Sequence, residues 1–115
     1  MVGEAERFAE ERERLDGNVM ARAGREIKRF YGIDHSVYEE GALPAGTKEL
    51  LGLVASFVLR CDDCVRYHLG RCAEVGITGE EVMEALAIGL VVGGSITIPH
   101  LRRAVAYWEG LQGDG

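Results

Sequence analysis

The sequence has little of what marks secreted, membrane-spanning or nucleic-acid-binding chains. It holds two prolines and no Ser/Gly-rich run, so neither a linker nor a disordered tail is expected, apart from Gln112-Gly113-Asp114-Gly115. Positive charge is scarce: 13 Lys and Arg stand against 19 Asp and Glu, a net −6. That balance repels phosphate backbones and anionic lipid, so neither nucleic acid nor a membrane is an expected partner. The longest mostly apolar run, Ala85 to Pro99, is too short for a bilayer span and is broken by Gly93-Gly94-Ser95. The opening Met-Val-Gly-Glu-Ala-Glu-Arg is acidic where a secretory leader would be basic, and no apolar stretch follows it. Cysteines number three, too few for a disulfide scaffold. A cytoplasmic protein is expected, with thiols kept for chemistry.

What is there reads as helix. At 115 residues and 47% apolar content the chain is one soluble globular domain. Residues 4–16 carry charge nearly all round, with Phe8 and Leu15 seven apart, and predict an exposed helix that lies against a partner chain. A second helix is expected from about Val19 to Phe30, stopped by Gly32, with an irregular stretch through Gly41. From Pro44 a helix apolar around most of its circumference runs to Leu59, with Glu49, Gly52 and Ser56 forming a stripe of small and acidic residues. A turn near Arg60-Cys61 leads into a helix that carries Asp62 and Asp63 in its first turn and stops at Gly76. Thr78-Gly79-Glu80-Glu81 is a capping box that opens a helix through Val92, and a last helix starts between Thr97 and Pro99 and ends near Gly110. No alternating strand pattern is present. The fold class is all-α, a single-domain bundle of about six helices with the cysteine pair at a helix N-terminus.

The chemistry lies in Cys61-Asp62-Asp63-Cys64 and what surrounds it. Two thiols at a helix start are close enough to bridge if the first turn bends suitably, and the free N–H groups there favour a thiolate. His68 is four residues past Cys64, on the same face, placed to take that thiol's proton. If the chain reverses near residue 60, Glu49 lies about 16 Å back along one helix and His68 about 12 Å along the next. The carboxylate then faces the imidazole across the stripe thinned by Gly52 and Ser56.

Glu49, eleven intervening residues, Cys61-x-x-Cys64 and then His68 resembles the signature of the AhpD-like alkylhydroperoxidase branch of the carboxymuconolactone decarboxylase family. Leu43-Pro44 before Lys48-Glu49-Leu50-Leu51, and Gly94 to Pro99 before the last helix, match as well. The resemblance covers residues 25–111, leaving residues 1–24 as a charged helical extension. It implies an AhpD-like helical subunit that assembles into trimers or hexamers and reduces hydroperoxides with a dithiol reductant or redox partner protein. By that analogy Cys64 attacks the peroxide, Cys61 gives a proton and then closes a disulfide, and Glu49 and His68 relay protons. Neither a cofactor nor a metal is implied. Asp63 stands where better-known peroxidase members carry histidine, and together with Asp62 it adds negative charge beside both sulfurs. This points to lower peroxide reactivity or to another thiol substrate.

Other readings remain open. Cys61, Cys64, His68 and Cys72 form a string of metal-ligand types, but along one straight helix they span about 16 Å and cannot surround one ion. A site shared with a ligand from another chain, or an inert thiol pair, is not excluded by spacing. A decarboxylase-like enzyme on a lactone acid could use Glu49 or His68 as acid and base without needing two cysteines. A non-enzymatic redox-sensing scaffold would use the cysteines without turnover. Cys72 reads as a small buried apolar residue. His35 and His100, lacking a thiol or carboxylate at useful spacing, read as structural or surface residues, while Met83, Tyr107 and Trp108 fit packing faces.

Overall fold

A computed structural model describes residues 3–113. These residues form α1 (Glu4–Arg22), α2 (Arg25–Val37), α3 (Ala45–Val58), α4 (Asp62–Glu74), α5 (Gly79–Gly93) and α6 (Ile98–Leu111), with a short 3-10 turn over Ser95–Thr97. The all-α reading holds, and no strand occurs among the described residues.

The core is made where the apolar stripes of α3 to α6 meet. Leu53 and Phe57 of α3, Val65, Leu69 and Cys72 of α4, Val82 and Leu86 of α5, and Ala104, Tyr107 and Trp108 of α6 are all buried. α3 is the central rod, lying against both α4 and α5, and α6 closes the far side of α4. Close approach of α3 and α5 depends on Gly89, where a Cβ would sit 2.6 Å from Cδ2 of the fully buried Phe57.

The expected chain reversal between α3 and α4 is a Schellman turn. The N–H of Arg60 bonds to the Phe57 carbonyl at 2.9 Å and that of Cys61 to the Ser56 carbonyl at 3.0 Å. Arg60 itself is left-handed (φ 63°), a conformation that strains a residue with a Cβ. The same motif ends α4, where Gly76 takes φ 85° without that strain. Thr78 and Glu81 form the expected capping box at the start of α5.

The N-terminal third differs from expectation. One helix runs unbroken from Glu4 to Arg22, and the break comes at Ala23-Gly24 instead of after Asp16. Gly17 sits inside α1 at an exposed position, where a glycine costs only about 1 kcal/mol against alanine, too little to break a long helix. Gly32 likewise does not stop α2, which continues to Val37; with no side chain demanding a turn, the helix persists until Tyr38. α1 also lies on its own chain. Phe8 meets the Tyr107 ring edge-on at 6.0 Å, and the Arg12 guanidinium sits 3.8 Å over the Tyr67 ring. α2, by contrast, buries none of its residues.

Candidate active site

The tip of α4 is built by its own cap. Cys61 is the N-cap, extended in backbone, and its sulfur accepts the N–H of Cys64 at 3.3 Å. The pair therefore shares one helix tip. All three cysteines are free thiols, Cys64 exposed, Cys61 half-buried and Cys72 buried. Asp62 leaves the tip sideways: its carboxylate accepts from His100 Nδ1 at 2.8 Å and from Arg103 Nε at 2.9 Å. His100 thus has the carboxylate partner that sequence spacing did not reveal, because Asp62 and His100 are 38 residues apart and meet only when α6 packs on α4. Asp63 is paired with Arg66. Both aspartates beside the sulfurs are therefore paired with side chains of basic residues, yet the charge of Asp63 still weighs on Cys64.

One turn below, Glu49 and His68 meet as their helical distances require. His68 Nδ1 lies 2.9 Å from Glu49 Oε1, and Glu49 is only 2% exposed. Arg71 Nε, at 3.5 Å from Glu49 Oε2, supplies a second partner, so the buried carboxylate is not left alone. The stripe of small residues has a defined use: a Cβ on Gly52 would stand 2.7 Å from His68 Cε1 and 2.8 Å from both His68 Nε2 and the Tyr38 hydroxyl. Two side chains, the His68 imidazole and the Tyr38 phenol, converge on the space that glycine leaves.

His68 does not point its free nitrogen at a sulfur. Tyr38 Oη is 3.4 Å from Nε2, and no hydrogen bond joins His68 to Cys61 or Cys64 among the described residues. Spacing placed His68 on the Cys64 face but could not say what its second nitrogen would meet. The Cys64 thiol is itself pushed up to about 11, chiefly by burial, then by its hydrogen bond with Cys61 and the charges of Cys61, Asp63 and Asp34. The pair thus resists carrying two negative charges, and Cys64 keeps its proton near neutrality unless a base takes it. Cys72 is pushed up to about 12 by burial, as suits a packing residue.

Above Cys64 opens a cavity of about 710 Å³, walled by α1 and lined by Cys64, His68, Tyr67, Phe8, Arg12 and Asp34 among others. Sequence reasoning missed Tyr38, Arg71 and this α1 wall. Arg71, three residues past His68, was findable on the same helix face; Tyr38, from a stretch expected to be irregular, gave no periodic signal. No group of three or more His, Cys, Asp or Glu among the described residues is arranged to hold a metal ion.

An all-helical bundle with two thiols at a helix tip and a buried carboxylate–imidazole couple beneath them defines a recognisable class. The chain belongs to the carboxymuconolactone decarboxylase family, whose model matches residues 27–107. It is similar to a structure of a family protein from Thermotoga maritima for which a part in an antioxidative response has been suggested, at 57% identity and TM-score 0.88, covering 92% of this chain and 90% of that one. A family protein from Legionella pneumophila, solved in its apo form, shares the fold at 19% identity and TM-score 0.85, covering 93% of this chain and 96% of that one. An uncharacterised protein from Cupriavidus necator is 33% identical over 85 residues, 74% of this chain and 75% of its own length.

Proposed function

We propose that the chain is a thiol peroxidase of the alkylhydroperoxidase type, or a closely related disulfide oxidoreductase, working through Cys61 and Cys64. The observation that carries this reading is the shared helix tip: two free thiols, one capping the other's N–H, with Cys64 opening on a cavity whose floor is His68 backed by Glu49. The antioxidative role suggested for the Thermotoga maritima relative supports it.

The cycle balances with these residues. His68 takes the Cys64 proton, and the thiolate attacks the terminal oxygen of a hydroperoxide. The O–O bond breaks, Cys64 becomes a sulfenic acid, and the departing alkoxide takes the Cys61 proton to leave as alcohol. The Cys61 thiolate then attacks the Cys64 sulfur, closing the disulfide and expelling hydroxide, which regains the proton from His68 and leaves as water. An external dithiol returns two electrons by thiol–disulfide exchange.

The working form is a homo-oligomer. Ile88, Val91 and Val92 on α5 and Phe30, Ile33 and Val37 on α2 are all more than half exposed, and a second copy of the chain would bury them.

Hydroperoxide consumption with a dithiol present is expected in the wild type and at least about a hundredfold less in Cys64→Ser, since the attacking atom is gone. Equal consumption by both proteins ends the redox reading. Turnover of a lactone acid that survives replacement of both cysteines by serine would favour the decarboxylase reading instead.

A further inference from the structure

The cavity over Cys64 carries a pattern of charge that the redox chemistry itself does not need. Its volume of about 710 Å³ lies in the range of small-molecule sites, and Phe8, Leu15 and Tyr67 give it an apolar wall. That space exceeds what a bare peroxide group occupies, so the walls meet the rest of whatever enters. Five acidic side chains line it, Glu4, Glu11, Asp16, Asp34 and Asp63, against three arginines.

Each arginine is already engaged. The Arg12 guanidinium lies 3.8 Å over the Tyr67 ring and 3.8 Å from Asp16. Arg66 pairs with Asp63 and stands 4.9 Å over the Phe8 ring, with its Nε shut off from solvent. Arg7 has a partner as well. Among the acids, Glu11 is answered by Arg14 at 2.8 Å. Asp34 is different: exposed on α2, its carboxylate forms no ion pair among the described residues. Its charge reaches the sulfur, where it acts with Asp63 to hold the proton on Cys64.

We infer that this cavity selects by charge: it admits an uncharged organic substrate with an apolar body, turns away anionic ones, and takes that selection chiefly from Asp34. This deepens the thiol-redox reading and rests on it only in calling the occupant a substrate. A hydroperoxide or disulfide bearing a carboxylate would bring its charge among carboxylates with no uncommitted cation to meet it. In a concave site that field is stronger than on a flat surface. A neutral molecule escapes the repulsion, and its apolar part gains by leaving water against Phe8, Leu15 and Tyr67. Because Asp34 comes from α2 and the sulfur from α4, one substitution changes the charge without touching the thiols or the Glu49–His68 couple.

The test is alkylation of Cys64 in the reduced protein by neutral iodoacetamide and by anionic iodoacetate, at about pH 8 and low salt, located by peptide mass spectrometry. Both reagents consume the same thiolate, so the ratio of their rates cancels its population. The same ratio in urea-unfolded protein, which keeps Asp62 and Asp63 beside the sulfur, is the reference. Folded wild type is expected to favour iodoacetamide by at least about fivefold over that reference, and about 0.5 M sodium chloride is expected to remove most of the preference. Asp34→Asn is expected to lower it by about twofold or more. Glu84→Gln, the same charge change at an exposed position of α5 outside the cavity, is expected to keep it. A folded ratio equal to the reference overturns the inference, and so does a preference that persists in salt, which marks shape. A wild-type ratio in Asp34→Asn, or an equal loss in Glu84→Gln, overturns it as well. The assay needs no peroxide, so its failure is separable from absence of peroxidase turnover.

Discussion

Glu49 is the residue whose placement carries the largest energetic demand. A carboxyl group 2% exposed is compensated only by its partners, His68 Nδ1 at 2.9 Å and Arg71 Nε at 3.5 Å. Glu49→Gln keeps the shape and can still accept the Nδ1–H, but it removes the countercharge that a protonated His68 needs. Turnover is expected to fall by about ten- to a hundredfold, at the low end of what general acid–base groups contribute. Stability is expected to move by less than about 1 kcal/mol, because a buried charge and its desolvation cost disappear together. Steady-state rates beside urea unfolding would check both halves. A variant with undiminished turnover would remove Glu49 from the relay and leave it a structural partner of Arg71.

At the scale of the element, α4 is positioned by two devices at its tip: the left-handed Arg60 that ends the preceding turn, and the Asp62 clamp onto α6. Burial alone would raise the Asp62 carboxyl, but hydrogen bonds from His100 and Arg103, with Arg103's charge, outweigh it and hold the group below its usual range. A carboxyl lowered in the folded state stabilises above its unfolded pKa, near 3.9, and the contribution disappears as pH falls through the folded value. Asp62→Asn is therefore expected to cost about 0.5–1 kcal/mol near pH 7, counting the lost favourable charge at a helix N-terminus, and nothing measurable near pH 2. Urea unfolding of both proteins across that range tests it. A gap that stays constant with pH would mean that the clamp acts through shape and not charge.

This clamp also shows where sequence reading stops. Periodicity and caps made α4, α5 and α6 legible, because Gly76, Thr78-Glu81 and Pro99 are local signals that dictate local backbone. Glu49 facing His68 followed from rise per residue and one reversal. Tyr38 meeting His68, Asp62 meeting His100, and α1 roofing the cavity depend on how helices far apart in sequence cross, and no local pattern encodes a crossing. The boundaries of α1 and α2 were misread because glycine weakens a helix without having to end it.

For the whole molecule, one copy of the chain leaves a set of large apolar side chains on α2 and α5 exposed. Its radius of gyration is 14.7 Å, against roughly 13 Å for a compact chain of this length, and the excess fits α2 standing off the bundle with none of its residues buried. Val91 is 85% exposed, with Ile88 and Val92 beside it, and Phe30 on α2 is 70% exposed. Each such side chain gains about 1.5–3 kcal/mol on full burial, so a handful shared between copies can outweigh the entropy of association. Sedimentation velocity at micromolar concentration should find the wild type at a multiple of 12.6 kDa. Val91→Glu places a charge on the surface that the proposed homo-oligomer would dry and is expected to shift the protein toward single chains by at least about tenfold in dissociation constant, with the helical signal retained. Wild-type protein sedimenting as single chains, or Val91→Glu associating as tightly as wild type, would mean that the α5 surface faces something other than a second copy.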